Sequence, residues 1–502
     1  MEFRSRTTNA MPMATPTPER ASGSSSASQR SLLPPWLAWS LILGLGIGIW
    51  IWRPAAEVSP KGWQLLAVFL PCVLALMLQP LAGGAVVLLA VITTVLVGAL
   101  DLPEALGGYM DPTVWLVLAA YFLARAFIKT GLARRIALLF IRRLGHNSLG
   151  LSYALMASNT VLAGMIPSNA ARVGGVMLPI TRSLAEIYKS HPGPTAGLLG
   201  AFLLVTLYQA DVVACALFFT GQASNPLAAR QAAQLTEQVA GGPVILSYGN
   251  WLWYALVPAV TSLLVVPCLT YRLARPEITR TPEATEFARA ELNSMGPLKR
   301  EERVLAVVFS GVCLLWIFGG ADAITLVALS GAALLLLAKI LSWDDVINER
   351  SAWDVFIWYG GLIQLGKKLN ETGVLSHFAK AVAGQFSGWN WLALFVVVLL
   401  IYFYAHYAFA SITAHIVSMY PAFVPVLIAA GAPAPLVVCS FAFFANFAAG
   451  LTHYGTTPGP IIFSVGYVSQ RTWWRVGFLL SLVHIAIWLT VGMLWWKMTG
   501  LW

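Results

Sequence analysis

The chain alternates between long apolar runs and short polar segments. Several runs approach the roughly 20 residues that a helix needs to cross a bilayer. Those runs are 36–52, 62–78, 85–100, 304–318, 322–341, 391–409 and 476–498. Apolar and polar residues do not alternate with a period of two inside the runs, which argues against a membrane β-barrel. The pattern therefore predicts an all-α polytopic membrane protein with about 11 transmembrane helices.

Two polar segments interrupt otherwise apolar sequence and resemble one another. The first tip is Pro167–Arg172 and the second tip is Ala410–His415, and each contains Ser-x-(Ala/Thr)-Ala followed by a basic residue. Polar and cationic residues are costly at membrane depth, so they usually line a site. The two apolar halves of 148–189 around the first tip predict a helical hairpin that enters the membrane and returns to the same side.

Three motifs occur in the same order in both halves of the chain and predict an internal repeat. The tips form one pair, and Thr130–Ala137 and Thr372–Ala379 form another. The third pair consists of the first break, Thr220–Pro226, and the second break, Thr452–Pro458. Gly permits unusual backbone angles and Pro removes a donor, so a helix must unwind at each break. Paired interruptions of this kind are typical of secondary transporters that bind substrate between their repeats.

Basic residues indicate the orientation and the domain boundaries. Seven Lys and Arg residues predict that 271–303 is a cytosolic linker between the halves. The first repeat then covers 60–270, and the second repeat with the last helix covers 304–498. The stretch after the first Thr-Gly motif holds four arginines and its copy one lysine, so the repeats are predicted to be inverted. Residues 1–35 predict a disordered cytosolic tail, and 36–52 a first transmembrane helix.

Composition favours a lipid environment. The 502 residues are 58% hydrophobic and 10% charged, whereas soluble domains carry about 25% charged residues. A formal net charge of +10 would suit a nucleic-acid partner, but the basic residues cluster beside the apolar runs, as the positive-inside rule describes. We therefore expect the lipid bilayer, and no nucleic acid, as a partner.

The sequence predicts neither catalytic residues nor a metal or cofactor. The five cysteines lie in apolar segments, with no metal-ligand spacing and no disulfide framework. An intramembrane enzyme would need a nucleophile with a base, or metal ligands at one depth. His406 and His415 have no accompanying carboxylate motif, so an enzyme is not expected.

The tips can bind anions. A helix that begins inside the membrane exposes unpaired N–H groups and a partial positive charge. Two facing tips could therefore bind the two ends of a small dicarboxylate. Ser168 and Ser411 could instead be packing residues between helices. The polar residues of the breaks could equally form hydrogen bonds with backbone groups that lose their partners where the helix unwinds. The candidate substrate-binding residues are Ser168, Asn169, Ala170, Arg172, Thr220, Asn225, Ser411, Thr413, His415, Thr456 and Thr457.

Arg172 bears on the mechanism. An arginine in the bilayer needs an anionic or dipolar partner, and beside a dicarboxylate site it could act as a fixed counter-charge. In a sodium-coupled symporter, Na⁺ ions held by backbone carbonyls balance the charge of the substrate. A fixed cation in the protein would make these ions redundant. Without substrate its charge would lack a partner, which would hinder the empty binding site from crossing the membrane. This favours obligatory exchange, with His415 either charged in the same role or neutral and only hydrogen-bonded.

The motifs resemble those of the divalent anion/sodium symporter family. The residues that carry the resemblance are the first tip with Gly174-Gly175, the first break, Thr452-His453-Tyr454-Gly455, Gly459-Pro460 and Gly466-Tyr467. Within this family, the segment His406–His415 is especially similar to the sequences of one branch. That branch contains plastid 2-oxoglutarate/malate translocators and bacterial citrate/succinate or tartrate/succinate antiporters.

This resemblance implies a homodimer, a scaffold domain, an elevator-like transport domain and two re-entrant hairpins. It also implies substrate-binding tips at Ser168-Asn169-Ala170 and Ser411-Ile412-Thr413. Ala170 and Ile412 depart from the family's Ser-Asn-Thr pattern. The basic residues after the tips, Arg172 and His415, resemble the substitutes for sodium in exchangers of this family.

The sequence thus predicts a sodium-independent antiporter for C4/C5 dicarboxylates such as 2-oxoglutarate, malate or succinate. The alternative is a Na⁺-coupled dicarboxylate symporter, and a channel would lack an obligatory counter-substrate. The bacterial inner membrane is the expected location, with the plastid inner envelope membrane as the alternative.

Overall fold

The computed structural model describes residues 34–53, 58–320, 323–386 and 388–502. Within these ranges every regular element is a helix, apart from one isolated bridge between Asn147 and Arg280. This confirms the predicted all-α fold class. Nearly all of the predicted tail, residues 1–33, lies outside the described residues.

Eight described helices are long and apolar enough to cross a membrane, and three apolar helices are shorter. The eight are Pro60–Leu78, Pro112–Thr130, Gly200–Leu217, Tyr248–Leu273, Trp391–Ala408, Ile412–Ala429, Ala434–Leu451 and Gln470–Met498. The shorter three are Pro35–Ile51, Gly83–Leu96 and Ile324–Leu337. The remaining longer helices are Leu132–Leu144, Ser148–Ala163, Ala170–Met177 with Leu178–Ile187, Ser224–Val239, Pro282–Met295, Arg300–Phe318, Arg350–Glu371 and Val374–Gln385.

Both halves contain a hairpin and a broken helix. In the first half, Ser148–Ala163 ends before the first tip, and the chain returns through Ala170–Met177. In the second half, Trp391–Ala405 ends before the second tip, and Ile412–Ala429 returns. The first broken helix resumes at Ser224, and the second resumes at Pro458. These elements match the predicted hairpins and breaks.

The repeated Thr-Gly motifs give the same local structure in each half. Gly131 (φ 81°) and Gly373 (φ 75°) lie in the left-handed region, between the end of one helix and the start of the next. Glycine adopts this conformation without the steric cost of a Cβ atom. The motif therefore marks a sharp turn between two helices at equivalent positions.

The predicted linker 271–303 contains a helix, Pro282–Met295, which the sequence pattern does not predict. This helix packs on Leu132–Leu144 through an ion pair between Arg134 and Glu291 at 2.6 Å. Nearby, buried Arg135 donates to Glu302 at 2.7 Å. Two of the four arginines that follow the first Thr-Gly motif thus attach the linker to the first repeat.

The first segments of the two broken helices form the centre of the molecule. Of their residues, 94% in Gly200–Leu217 and 89% in Ala434–Leu451 are buried. Tyr208 donates to the carbonyl of Ala449 at 2.8 Å, and Gln209 donates to that of Gly450 at 2.9 Å. One repeat therefore satisfies the backbone of the other at the place where its helix breaks.

Candidate functional site

The first tip is connected to the second break by the side chain of Asn169. Its Nδ2 donates to Thr456 Oγ1 at 2.9 Å, and Thr457 Oγ1 donates to its Oδ1 at 3.1 Å. Ser168 Oγ accepts from the backbone N–H of Ala171 at 3.2 Å. The amide group bonds both threonines of the second break, so it fixes the tip against the opposite repeat.

The second tip begins a helix in the same manner. Ser411 is the N-cap of Ile412–Ala429, and its Oγ accepts from the backbone N–H of Ala414 at 3.4 Å. The polar end of this helix, with Thr413, borders a cavity. A helix N-terminus of this kind has a partial positive charge and favours anions.

Tips and breaks converge on a cavity of about 330 Å³. The predicted residues that line it are Ser168, Asn169, Ala170, Ser411, Thr413, Thr456 and Thr457. The opposite wall comes from helices outside the hairpins and includes Tyr121, Asp354 and Trp358. The cavity therefore lies between the tip-bearing elements and the helices that flank them.

Several lining residues were not singled out from the sequence. Gln222 and Ser224 of the first break border the cavity, as do Tyr121, Asp354 and Trp358. The repeat of the two breaks was a usable signal for Gln222 and Ser224. Tyr121, Asp354 and Trp358 are single residues in ordinary helices, so only the packing of the chain reveals them.

Thr220 and Asn225, which were predicted to bind substrate, do not line the cavity and bond carbonyls of the protein instead. Thr220 Oγ1 donates to the carbonyl of Gly164 at 3.1 Å. Asn225 Nδ2 donates to the carbonyls of Cys215 and Phe218 at 2.7 and 2.9 Å. The bonds from Asn225 satisfy carbonyls that the broken helix leaves free where it unwinds, whereas the bond from Thr220 joins the break to the end of the hairpin helix Ser148–Ala163.

Arg172 is fully buried behind the first tip and does not border the cavity. Its Nη2 donates to Asp211 Oδ1 at 2.6 Å. Its Nη1 donates to the carbonyls of Ile166 at 2.7 Å and Gly221 at 3.1 Å. The predicted fixed counter-charge therefore has a carboxylate partner, because Asp211 of the broken helix packs against the hairpin. In this structure Arg172 contacts the first break rather than the cavity.

His415 is also fully buried and does not border the cavity. Its Nδ1 lies 3.0 Å from Nδ1 of His406, and its Nε2 lies 3.0 Å from the carbonyl of Tyr402. His406 Nε2 lies 2.9 Å from the carbonyl of Gly455 in the second break. His415, which was predicted to bind substrate, is therefore joined in this structure, through His406, to the second break.

The two halves share one arrangement despite different residues. Behind each tip, a basic side chain is connected to a carbonyl of the break in its own repeat, Gly221 in the first and Gly455 in the second. In the first half this connection is an arginine paired with an aspartate. In the second half it is a pair of imidazoles.

Comparison with known proteins agrees with this architecture. Residues 35–502 match the family described as the sodium:sulfate symporter transmembrane region. The chain is 40% identical to dicarboxylate transporter 1 of Spinacia oleracea chloroplasts, over 91% of this chain and 80% of that protein. It is 35% identical to the inner membrane protein YbhI of Escherichia coli, over 92% of this chain and 97% of that protein. It is 33% identical to the L-tartrate/succinate antiporter of Shigella sonnei, over 88% of this chain and 93% of that protein.

The fold also resembles that of a solved transporter structure. MtrF of Neisseria gonorrhoeae superposes with a TM-score of 0.57 at 16% identity, over 92% of this chain and 95% of that chain. At this level of identity the likeness concerns the fold alone.

Proposed function

The chain belongs to the divalent anion/sodium symporter family, and from this premise we propose that it is a sodium-independent antiporter of C4/C5 dicarboxylates. It is a transporter rather than an enzyme, and a multi-pass protein of the inner membrane. Succinate, malate and 2-oxoglutarate are the proposed substrates. The names of the spinach and Shigella relatives support a dicarboxylate substrate, and the latter name supports exchange.

Recognition in this proposal takes place at both ends of the substrate. Each tip offers a serine beside a helix N-terminus, and the cavity between them has a volume of about 330 Å³. Donors at such a terminus bind carboxylates without requiring a free cation. One carboxylate binds at Ser168 and Asn169, and the other at Ser411 and Thr413.

Sodium independence is supported by the fact that basic side chains already contact a backbone carbonyl in each break. Sodium-coupled carriers hold their ions with carbonyls of unwound helices. Here Arg172 already donates to Gly221, and His406 contacts Gly455. A sodium ion at either place would lie beside a guanidinium or imidazole nitrogen that is bonded to the same oxygen. The side chains therefore take the place of the ions.

We also propose a homodimer in which the hairpins and broken helices move as an elevator-like transport domain against a scaffold. The lining of the cavity supports this division, because it combines Ser168 and Ser411 of the tips with Tyr121 and Asp354 of helices outside the hairpins. The proposed repeats cover 60–270 and 304–498.

Counterflow into proteoliposomes tests the exchange. Vesicles containing purified protein are loaded with one unlabelled acid from a panel, and uptake of labelled succinate is measured. Malate, succinate or 2-oxoglutarate inside should drive uptake, whereas empty vesicles or internal monocarboxylates should not. Uptake into empty vesicles driven by a sodium gradient would identify the rival, a Na⁺-coupled dicarboxylate symporter.

A further inference from the structure

We infer that Asp354 determines the specificity of the cavity by limiting its substrate to two carboxylate groups. The side chain of Asp354 repels a third carboxylate, and it occupies a helix N-terminus that could otherwise bind one. The inference rests on the proposed function, because it assigns the number of charges that the same site accepts. Selectivity between acids can nevertheless be measured by binding alone, without transport.

Asp354 is the single charged residue among the described residues that line the cavity. The tips and breaks contribute only uncharged side chains to the lining, and no lysine, arginine or histidine of the described part borders it. Asp354 itself belongs to Arg350–Glu371, outside the hairpins and broken helices. An anion held by the tips therefore shares its cavity with one charged side chain, and that side chain is negative.

The carboxylate of Asp354 lies at the start of the helix Gly83–Leu96, whose first residue also borders the cavity. A backbone hydrogen bond joins Gly84 to this carboxylate, and a Cβ atom added at Gly84 would lie 2.6 Å from Asp354 Oδ1. The first turn of a helix has unpaired N–H groups and a partial positive charge, which favour anions. Here a carboxylate of the protein already fills that position, so this helix N-terminus is closed to substrate.

No basic side chain neutralises Asp354. None of the ion pairs among the described residues includes it, and its side chain is exposed rather than enclosed by protein. Its charge therefore acts on any anion that enters the cavity. Like charges repel more strongly in such a site than in bulk water, because the protein and the small volume of solvent screen them less.

A dicarboxylate can avoid this repulsion, whereas a tricarboxylate cannot. In the proposed binding mode the two tips hold both carboxylates of a dicarboxylate, so only its carbon chain is left for the remaining wall. Beside Asp354 that wall is apolar, with Val355, Trp358 and Leu362. Its uncharged polar residues are Gln79, Tyr121 and Ser351. A third carboxylate would lie there without a cation, and an unpaired charge is costly to bury.

Three acids with the same five-carbon chain test the inference on the wild-type protein. Glutarate has a carboxylate at each end, 3-methylglutarate adds a methyl group at the middle carbon, and tricarballylate adds a third carboxylate there. Calorimetry measures the Kd of each for the full chain in nanodiscs at about pH 8, where carboxyl groups with reference pKa values of about 4 are ionised.

The Kd for tricarballylate should exceed that for glutarate by about tenfold or more, and 3-methylglutarate should bind nearly as well as glutarate. Similar Kd values for glutarate and tricarballylate would overturn the inference. Equal weakening of 3-methylglutarate and tricarballylate would assign the selectivity to size, and would overturn it as well.

Asp354→Asn isolates the charge, because the amide oxygen can still accept a hydrogen bond from Gly84. It should lower the ratio of the tricarballylate Kd to the glutarate Kd by about fivefold or more. Asp344→Asn, the control, removes an exposed carboxylate that does not line the cavity and should leave the ratio unchanged. If Asp354→Asn does not fold, Asp354→Ser makes the same test with a shorter neutral acceptor. An unchanged ratio in a folded Asp354 variant would reduce this residue to a helix cap and contradict the inference.

Counterflow with the same preparations separates this inference from the proposed function. Internal tricarballylate should drive uptake of labelled succinate by Asp354→Asn but not by the wild type. Succinate exchange by a wild type that binds glutarate and tricarballylate equally would leave the antiporter intact and refute the role of Asp354. A Kd ratio that depends on Asp354 in a protein without counterflow would refute the antiporter and support the role of Asp354.

Discussion

At the scale of single residues, the polar positions were visible in the sequence but their partners were not. Arg172 stands out in the sequence as a charged residue at membrane depth, which needs an anionic or dipolar partner. Its 2.6 Å contact with Asp211 joins a hairpin to a broken helix, and no local pattern predicts how those two elements pack. The sequence therefore indicates that Arg172 needs a partner, and the structure shows that Asp211 is one.

Removing one partner of the Arg172–Asp211 ion pair should destabilise the fold more than replacing both partners with apolar residues. Asp211→Asn leaves a buried guanidinium without its counter-ion, and such a loss costs about 3–5 kcal/mol. The double variant Arg172→Met with Asp211→Leu should recover much of this stability while exchange stays low. Thermal unfolding in detergent measures the first effect, and counterflow the second.

The matched control is the exposed pair of Arg182 and Glu186, whose charged atoms lie 3.7 Å apart. Arg182→Ala should change stability by less than about 1 kcal/mol. A similar loss of stability in Asp211→Asn and Arg182→Ala would contradict the importance assigned to the buried pair.

Asn169 should control substrate affinity through the second break. Asn169→Ala removes hydrogen bonds to Thr456 and Thr457, each worth about 1 kcal/mol. We expect the KM for succinate to rise by about tenfold or more, with the folded fraction unchanged. Asn348→Ala, an exposed position bonded only to Asp344, is the control and should leave KM unaltered. An unchanged KM in Asn169→Ala would remove the first tip from binding.

At the scale of helices, the sequence predicted the hairpins and breaks because Pro, Gly and Ser interrupt apolar periodicity there. It gave the helix ends within a few residues, as at 62–78 against Pro60–Leu78. It could not distinguish cavity-lining Thr456 from Thr220, which bonds Gly164. Both are threonines in a helix break. Only the orientation of each segment in the folded protein determines whether the hydroxyl group borders the cavity or bonds a backbone carbonyl.

The two tip serines should differ from an ordinary N-cap serine. Ser168→Ala and Ser411→Ala each lose a capping bond, worth about 1 kcal/mol, and a donor to substrate. Ser469→Ala loses the equivalent cap, 3.2 Å from Thr472 N, at a helix that starts away from the cavity. All three should lose similar thermal stability, but only the tip variants should bind succinate more weakly by calorimetry. Equal binding by all three would exclude the tips as ligands.

At the scale of the whole molecule, the repeat and the membrane fold followed from the sequence, whereas the wall of the cavity did not. Asp354 and Trp358 lie in Arg350–Glu371, where nothing in the local pattern marks them. The ordered linker helix Pro282–Met295 was missed for a related reason. Its stability depends on contacts such as Arg134–Glu291 with a distant helix.

The inversion of the repeats predicts opposite accessibility for two exposed residues. Arg289, in the linker helix, should face the cytosol, and Lys380, in the helix Val374–Gln385 that follows the second Thr-Gly motif, should face the other side. Single cysteines replacing them in a cysteine-free background report this through a membrane-impermeant maleimide. Only Lys380→Cys should react in intact cells, and Arg289→Cys should react after permeabilisation. Reaction of both from one side would contradict inverted repeats.

We propose that basic side chains of the protein occupy the positions where sodium ions would act. The initial rate of succinate–succinate exchange in proteoliposomes tests this as choline is replaced stepwise by sodium at constant ionic strength. Exchange should be full without sodium, and its rate should stay constant as sodium rises. A rate that is negligible in choline and rises to saturation with sodium would refute the proposal.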